Sequence, residues 1–242
     1  MYKRIIGLVL LENGIFCRTR NFVADYHYTN KFIDTKYFDE MVFIDVSSER
    51  TLPNDFTFGQ GIEEVTEHSQ LPIAIGGGIK LVDHIELFRT LGADRYVINQ
   101  TSAKSDLLVS KAVQKYGRSS VISTINHWGP FVASREGVNE VRLLDRLREI
   151  GDNCGSDILL NSIERDGTLR GLDLDIVDAL SEVNEGSFIL CGGLGNIDHL
   201  HAALQRENVV GVCTSNVYHL TTNTISSWRT NLASQGLMVR AI

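Results

Sequence analysis

The chain has 242 residues, 43% of them apolar and 22% charged, which is the size and composition of one soluble α/β barrel of roughly 250 residues. Its net charge of −7 excludes a general nucleic-acid binder, which would carry a basic face, so an anionic ligand has to be held by a local site. No apolar run approaches the ~20 residues that span a bilayer, and no membrane association is expected.

The amino terminus has a basic start and a short apolar stretch but no small-residue cleavage site, so it reads as a first strand of a cytoplasmic protein and not as a secretory leader. Short β-branched runs follow at Arg4–Leu10, Met41–Asp45, Leu71–Ile75, Tyr96–Asn99, Ser120–Asn126, Asp157–Asn161, Phe188–Cys191 and Val209–Cys213. Helical patterns lie between them at Asp83–Leu91, Leu107–Tyr116, Glu140–Ile150 and Leu174–Val183. Eight strands alternating with helices predict a parallel sheet that closes into a single (β/α)8 barrel, with an open doubly wound sheet as the alternative. Cys17, Cys154, Cys191 and Cys213 lie far apart, without CxxC or Cys/His spacing. They read as reduced thiols, and neither a metal nor a cofactor is expected.

An internal repeat favours the closed barrel. Gly76 and Gly77 stand 116 residues before Gly192 and Gly193, and the same offset pairs ValPheIleAsp (42–45) with IleLeuLeuAsn (158–161). It also pairs Val97–Asn99 with Cys213–Ser215, and residues 5–10 with 121–126. The repeat predicts two half-barrels, about 1–116 and 117–242.

In such barrels ligands bind at the C-terminal ends of the strands. IleGlyGlyGlyIle (75–79) and CysGlyGlyLeuGly (191–195) stand at two of these ends, where glycine lets backbone N–H groups approach an anion. Gly77, Gly78, Gly192 and Gly193 are therefore candidate phosphate residues. The neighbouring strand ends add Asn99, Gln100, Ser215 and Asn216. Two matched half-sites suit a ligand with two phosphate ends; alternatively, the glycines serve only to make tight turns.

Seven motifs then point to a family: LysArgIleIle (3–6), AsnPhe (21–22), GlyGlyGlyIle (76–79), GlyAlaAsp (92–94), SerIleGluArgAspGlyThr (162–168), GlyGlyLeuGly (192–195) and ValTyrHis (217–219). In this order they closely resemble the cyclase subunit of imidazole glycerol phosphate synthase, the HisF family. The resemblance implies a barrel partnered by a separate HisH-like glutaminase, with ammonia crossing the barrel core to a bisphosphorylated ribonucleotide. It adds Asp166 and Gly167 to the phosphate residues. It also implies that Arg4, Glu40, Arg95 and Asp157 form a charged ring gating ammonia at the barrel floor, and that Asp94 lies at the glutaminase interface. A salt-bridged floor with no traffic through it is the alternative.

The chain departs from the family at two strand ends. Where the family carries aspartates as general acid and base, this sequence has Leu10 and Asn126. Neither side chain can shuttle a proton, and losing one well-placed acid or base removes ~10²–10⁴ in rate. Glu12, which shares the parity of Leu10, is a possible substitute. His127 is another, although alternation should point it the opposite way. The seven histidines (His27, His68, His84, His127, His199, His201, His219) are scattered and read as surface or packing residues. No cysteine has the setting of a glutaminase nucleophile, so ammonia must come from another chain. Lost acid and base together with a retained floor resemble the WbuZ-type glycosyl amidation-associated barrels of surface-polysaccharide pathways. That resemblance implies ammonia delivery to a sugar amidotransferase that makes an acetamidino group. The other readings are a working histidine-pathway cyclase, or a non-catalytic module that binds a phosphorylated small molecule and activates a glutaminase.

Overall fold

The computed structural model describes residues 2–29, 33–47, 56–67, 69–134, 136–181, 186–215, 217 and 225–240. In chain order, β1 (Arg4–Glu12) runs into a hairpin of β2 (Ile15–Arg20) and β3 (Val23–His27), and β4 (Glu40–Asp45) follows. Then come α1 (Phe56–Thr66), β5 (Ile73–Gly76), α2 (Asp83–Thr90), β6 (Arg95–Asn99) and α3 (Asp106–Tyr116). Next, β7 (Val121–Trp128) runs into a second hairpin, β8 (Phe131–Ser134) and β9 (Gly137–Arg142), followed by α4 (Leu143–Ile150) and β10 (Asp157–Ser162). The chain continues with α5 (Leu174–Ser181), β11 (Ser187–Cys191), α6 (Ile197–Leu204), β12 (Val209–Thr214) and α7 (Ile225–Ser234).

Eight parallel strands pair in the order β1, β4, β5, β6, β7, β10, β11, β12, and β12 pairs back onto β1. The sheet is closed, and the doubly wound alternative is excluded. Strand alternation sorts the apolar residues into two sets. Ile6, Val42, Ala74, Val97, Ile122, Leu159, Ile189 and Cys213 fill the barrel interior. Ile5, Val9, Phe43, Ile75, Ile98, Ile125, Leu160 and Leu190 face outward to the helical layer.

The register corrects the uniform repeat. Val42 faces the interior, but its expected partner Ile158 faces outward, so an offset of 116 there puts matched residues on opposite faces. Period-two alternation makes a slip of one residue a change of face. Ile44 pairs with Leu10 and with Gly76, while Asn161 pairs with Asn126 and with Cys191. Leu10 therefore matches Asn126 at 116, Ile44 matches Asn161 at 117 and Gly76 matches Cys191 at 115. Val97, the partner of Gly76, matches Cys213, the partner of Cys191, at 116.

Two local readings are also corrected. The helix expected from Glu140 begins at Leu143, because Glu140–Arg142 belong to β9, where Arg142 pairs with Phe131. The third barrel strand begins at Ile73 and not Leu71; Pro72 has no N–H for a ladder, and its carbonyl accepts from Met41 N. Between β3 and β4 the described residues form only a one-turn 3-10 helix, Thr35–Tyr37.

Candidate functional site

At the C-terminal mouth, Leu10 and Asn126 stand at matched levels on β1 and β7. These strands lie four places apart in either direction round the ring, and so opposite one another. Both residues are 6% exposed. Asn161 Nδ2 donates to Asn126 Oδ1 at 3.3 Å, and Asn126 N donates to Thr101 Oγ1 at 3.0 Å. The inner end of the mouth is thus a leucine facing a pair of amides, with no carboxylate among them.

Glu12 continues the face of Leu10 outward, and His27 Nε2 lies 3.4 Å from its carboxylate. Hairpin register creates this acid–base pair, since Cys17 is the partner of both Leu10 and His27. His127 is turned away from the mouth, as alternation requires. It is 2% exposed, its Nδ1 lies 3.0 Å from Gly129 O, and burial holds its pKa below the ordinary value. It is therefore not placed to replace the chemistry of Asn126.

The two glycine turns are conformationally alike and differ in exposure. Gly77 and Gly78 have φ of +106° and +65°, and Gly192 and Gly193 have +93° and +96°, a region that favours glycine. A Cβ on Gly77 would stand 2.5 Å from Asp45 O, and one on Gly192 2.5 Å from Ser162 O. Both turns therefore pack directly on the preceding barrel strand end. The first is half-buried. The second is buried beneath the loop after β10, where Gly171 N donates to Gly193 O at 2.8 Å. Arg165 of that loop lies beside Gly193 and donates to Gly171 O. It is a cation at the turn that the motif reading passed over.

The polar neighbours are placed unequally. Asn99 is exposed at the end of β6, with its Oδ1 accepting from Thr101 N at 2.9 Å. Ser215 is buried just beyond β12, and Asn216 lies outside the described residues, as do Tyr218 and His219. Gln100 corrects the expectation. It is fully buried; its side-chain Nε2 donates to Asp106 Oδ1 and Asn153 O, and its backbone carbonyl accepts from the buried Arg146. Being one residue on from Asn99, its side chain belongs to the α3–α4 side of the sheet. Asp166 also differs from expectation: its Oδ2 accepts from Thr19 Oγ1 at 2.7 Å and from Phe22 N at 3.1 Å. Burial raises its pKa from 3.8 to about 6. It clasps the loop after β10 to the first hairpin. Gly167, at φ +72°, packs against Thr19 O in the same clasp.

At the opposite end, Arg4, Glu40, Arg95 and Asp157 form one closed ring. Arg4 reaches Glu40 at 3.0 Å and Asp157 at 2.7 Å; Arg95 reaches Glu40 at 3.2 Å and Asp157 at 2.6 Å. Glu40 and Asp157 are the matched acids of opposite strands, and each base bridges both. Such mutual satisfaction is what a buried charge needs. Asp94 is exposed at the same end, where its carboxylate accepts from Ile73 N at 2.9 Å.

Across residues 7–224 the sequence matches the profile of the histidine biosynthesis protein family. The chain belongs to that family. One relative is the imidazole glycerol phosphate synthase subunit HisF of Streptococcus mutans serotype c (strain ATCC 700610 / UA159). It is 26% identical over 209 residues, spanning 84% of this chain and 82% of that protein. Within the family's barrel, the residues that sequence reasoning missed are Asn161, His27, Arg165 and Thr124. Thr124 Oγ1 is buried and has no hydrogen-bond partner among the described residues. It shares the inner face of β7 with Ile122 and Asn126.

Proposed function

We propose that this barrel is the synthase-type subunit of a glutamine-dependent amidotransferase complex. In this reading a HisH-like glutaminase docks at the charged floor, near Asp94, and ammonia crosses the barrel to an N-acetyl sugar held at the mouth or by a following sugar amidotransferase. The carrying observation is the contrast between the two ends: a complete, charge-balanced ring below, and above it Leu10 and Asn126 at the two strand ends where the family resemblance calls for carboxylates, with Glu12 only one step further out beside His27. The unpartnered Thr124 hydroxyl inside the barrel supports the path, since a buried polar atom without a partner costs ~1–3 kcal/mol and a passing ammonia would satisfy it. We assign phosphate contacts to Gly77, Gly78 and Asn99 at the open turn, and to Gly192, Gly193, Arg165 and Ser215 at the covered one.

The second reading is a working imidazole glycerol phosphate synthase cyclase. Its specific support is the Glu12–His27 contact, which sets a carboxylate and an imidazole together one step out from Leu10. One assay separates the two: the purified chain with the bisphosphorylated ribonucleotide and an ammonium salt. Absence of turnover with intact stimulation of a co-encoded glutaminase supports the amidation reading. Turnover that disappears in Glu12→Gln would replace it with the cyclase reading.

A further inference from the structure

The chain has two tryptophans, and they differ sharply in setting. Trp228 is 2% exposed within α7, while Trp128 is 40% exposed as the last residue of β7. Trp128 lies on the strand face of Ile122, Thr124 and Asn126, where that face rises out of the core into the mouth. Phe131, 37% exposed, is its partner across the β7–β8 turn. Directly opposed residues of an antiparallel pair present their side chains on one face, so both aromatics stand on the strand face that carries Asn126, two residues before Trp128. Across the barrel, Glu12 holds the matching position on β1, 116 residues earlier, with its carboxylate beside His27. The mouth thus has two aromatics on one side, a hydrogen-bond acceptor on the other and a neutral amide floor between.

We propose that this mouth binds a pyranose ring, its C–H face against Trp128 and its hydroxyls directed to Glu12. The proposal rests on the sugar-acceptor reading above and adds the residues that would hold the sugar. A pyranose has one largely apolar face and a rim of hydroxyls, which matches an exposed aromatic opposite a carboxylate. The amides of Asn126 and Asn161 suit an acetamido substituent, because each offers a donor and an acceptor and no charge. A ligand stacked on the outer aromatic pair also explains why two large rings are left in water at a strand end.

Trp128 is its own reporter, because the other indole is buried. The full chain is titrated with a free N-acetylhexosamine, and separately with adenosine, following tryptophan emission and saturation-transfer NMR. The sugar is expected to change the emission in the native chain and in Trp228→Phe, and adenosine is not. Trp128→Ala is expected to weaken sugar binding about tenfold with unchanged far-ultraviolet circular dichroism, and Glu12→Gln to weaken it severalfold. No sugar signal at about 50 mM, undiminished binding in Trp128→Ala, or preference for adenosine each overturns the proposal. In the reconstituted complex, ammonia transfer to the sugar with an unchanged KM in Trp128→Ala removes this subsite and leaves the amidation reading standing. Sugar binding on Trp128 with no ammonia transfer does the reverse.

Discussion

Asn161 Nδ2 donates to Asn126 Oδ1 across 3.3 Å, so a position at which the family resemblance calls for an acid/base carboxylate is an uncharged acceptor in a neutral contact. Asn126→Asp keeps the acceptor and adds a charge at a site 6% exposed. Burial disfavours the charged form and raises a carboxyl pKa. The variant should therefore be close to the native chain near pH 4 and lose ~1–2 kcal/mol by pH 7.5. Urea denaturation at the two pH values checks this, and an equal loss at both would show that shape and not charge is at fault.

Removing one base from the floor ring leaves two acids sharing the one base that remains, Arg4. Arg95→Met deprives Glu40 and Asp157 of a shared partner and frees Ser119 O and Ser156 Oγ as well. Breaking a buried pair by removing one member costs ~3–5 kcal/mol, whereas replacing the whole group by apolar residues can be neutral. The quadruple variant Arg4→Met/Glu40→Leu/Arg95→Met/Asp157→Leu should then be more stable than Arg95→Met alone. Chemical denaturation of both variants tests the ordering.

Asp166 makes the clasp between the loop after β10 and the first hairpin depend on pH. Its pKa in the folded chain is raised from 3.8 to about 6, so the folded state binds the proton more tightly. Its contribution is full below about pH 4 and is lost as pH rises through about 6. The span between those values corresponds to ~3 kcal/mol at most. Asp166→Asn can still accept from Thr19 and Phe22, and it should flatten the stability profile between pH 4 and 7. Thermal unfolding across that range is the measurement.

Two glycines with similar backbone angles should respond differently to alanine. Gly92 has φ +83° and open space around an added Cβ, whereas Gly193 has φ +96° and Gly171 O 2.2 Å from that Cβ. Gly92→Ala carries only the left-handed strain, ~1 kcal/mol. Gly193→Ala must also displace the covering loop, and should cost at least ~3 kcal/mol. Calorimetry gives both values, and equal losses would mean that the loop gives way freely.

The barrel strands were legible because apolar runs at the right spacing leave few alternatives. The first hairpin is legible too. Asn13-Gly14 between Glu12 and Ile15, with φ of +51° and +77°, is the two-residue turn that most strongly marks a hairpin. The outward placement of Gln100 follows from alternation once Asn99 is set inward. Other features depend on distances no local pattern encodes. The Glu12–His27 contact needs the register of three strands, and the role of Asp166 needs a hairpin 144 residues away. The neutral mouth could be read from Leu10 and Asn126, but the donor from Asn161 could not, because the repeat offset drifts by one residue at that strand.

The ring at the barrel floor has no terminal member. Each acid touches two bases and each base two acids, so any single contact can part while every charge retains a partner. Arg4, the most exposed of the four at 26% of its side chain, is the natural seam. Swinging it from Glu40 leaves Glu40 on Arg95 and Arg4 on Asp157. In the proposed ammonia path, that redundancy would allow one edge of the ring to open at a time without stranding a charge in the protein interior.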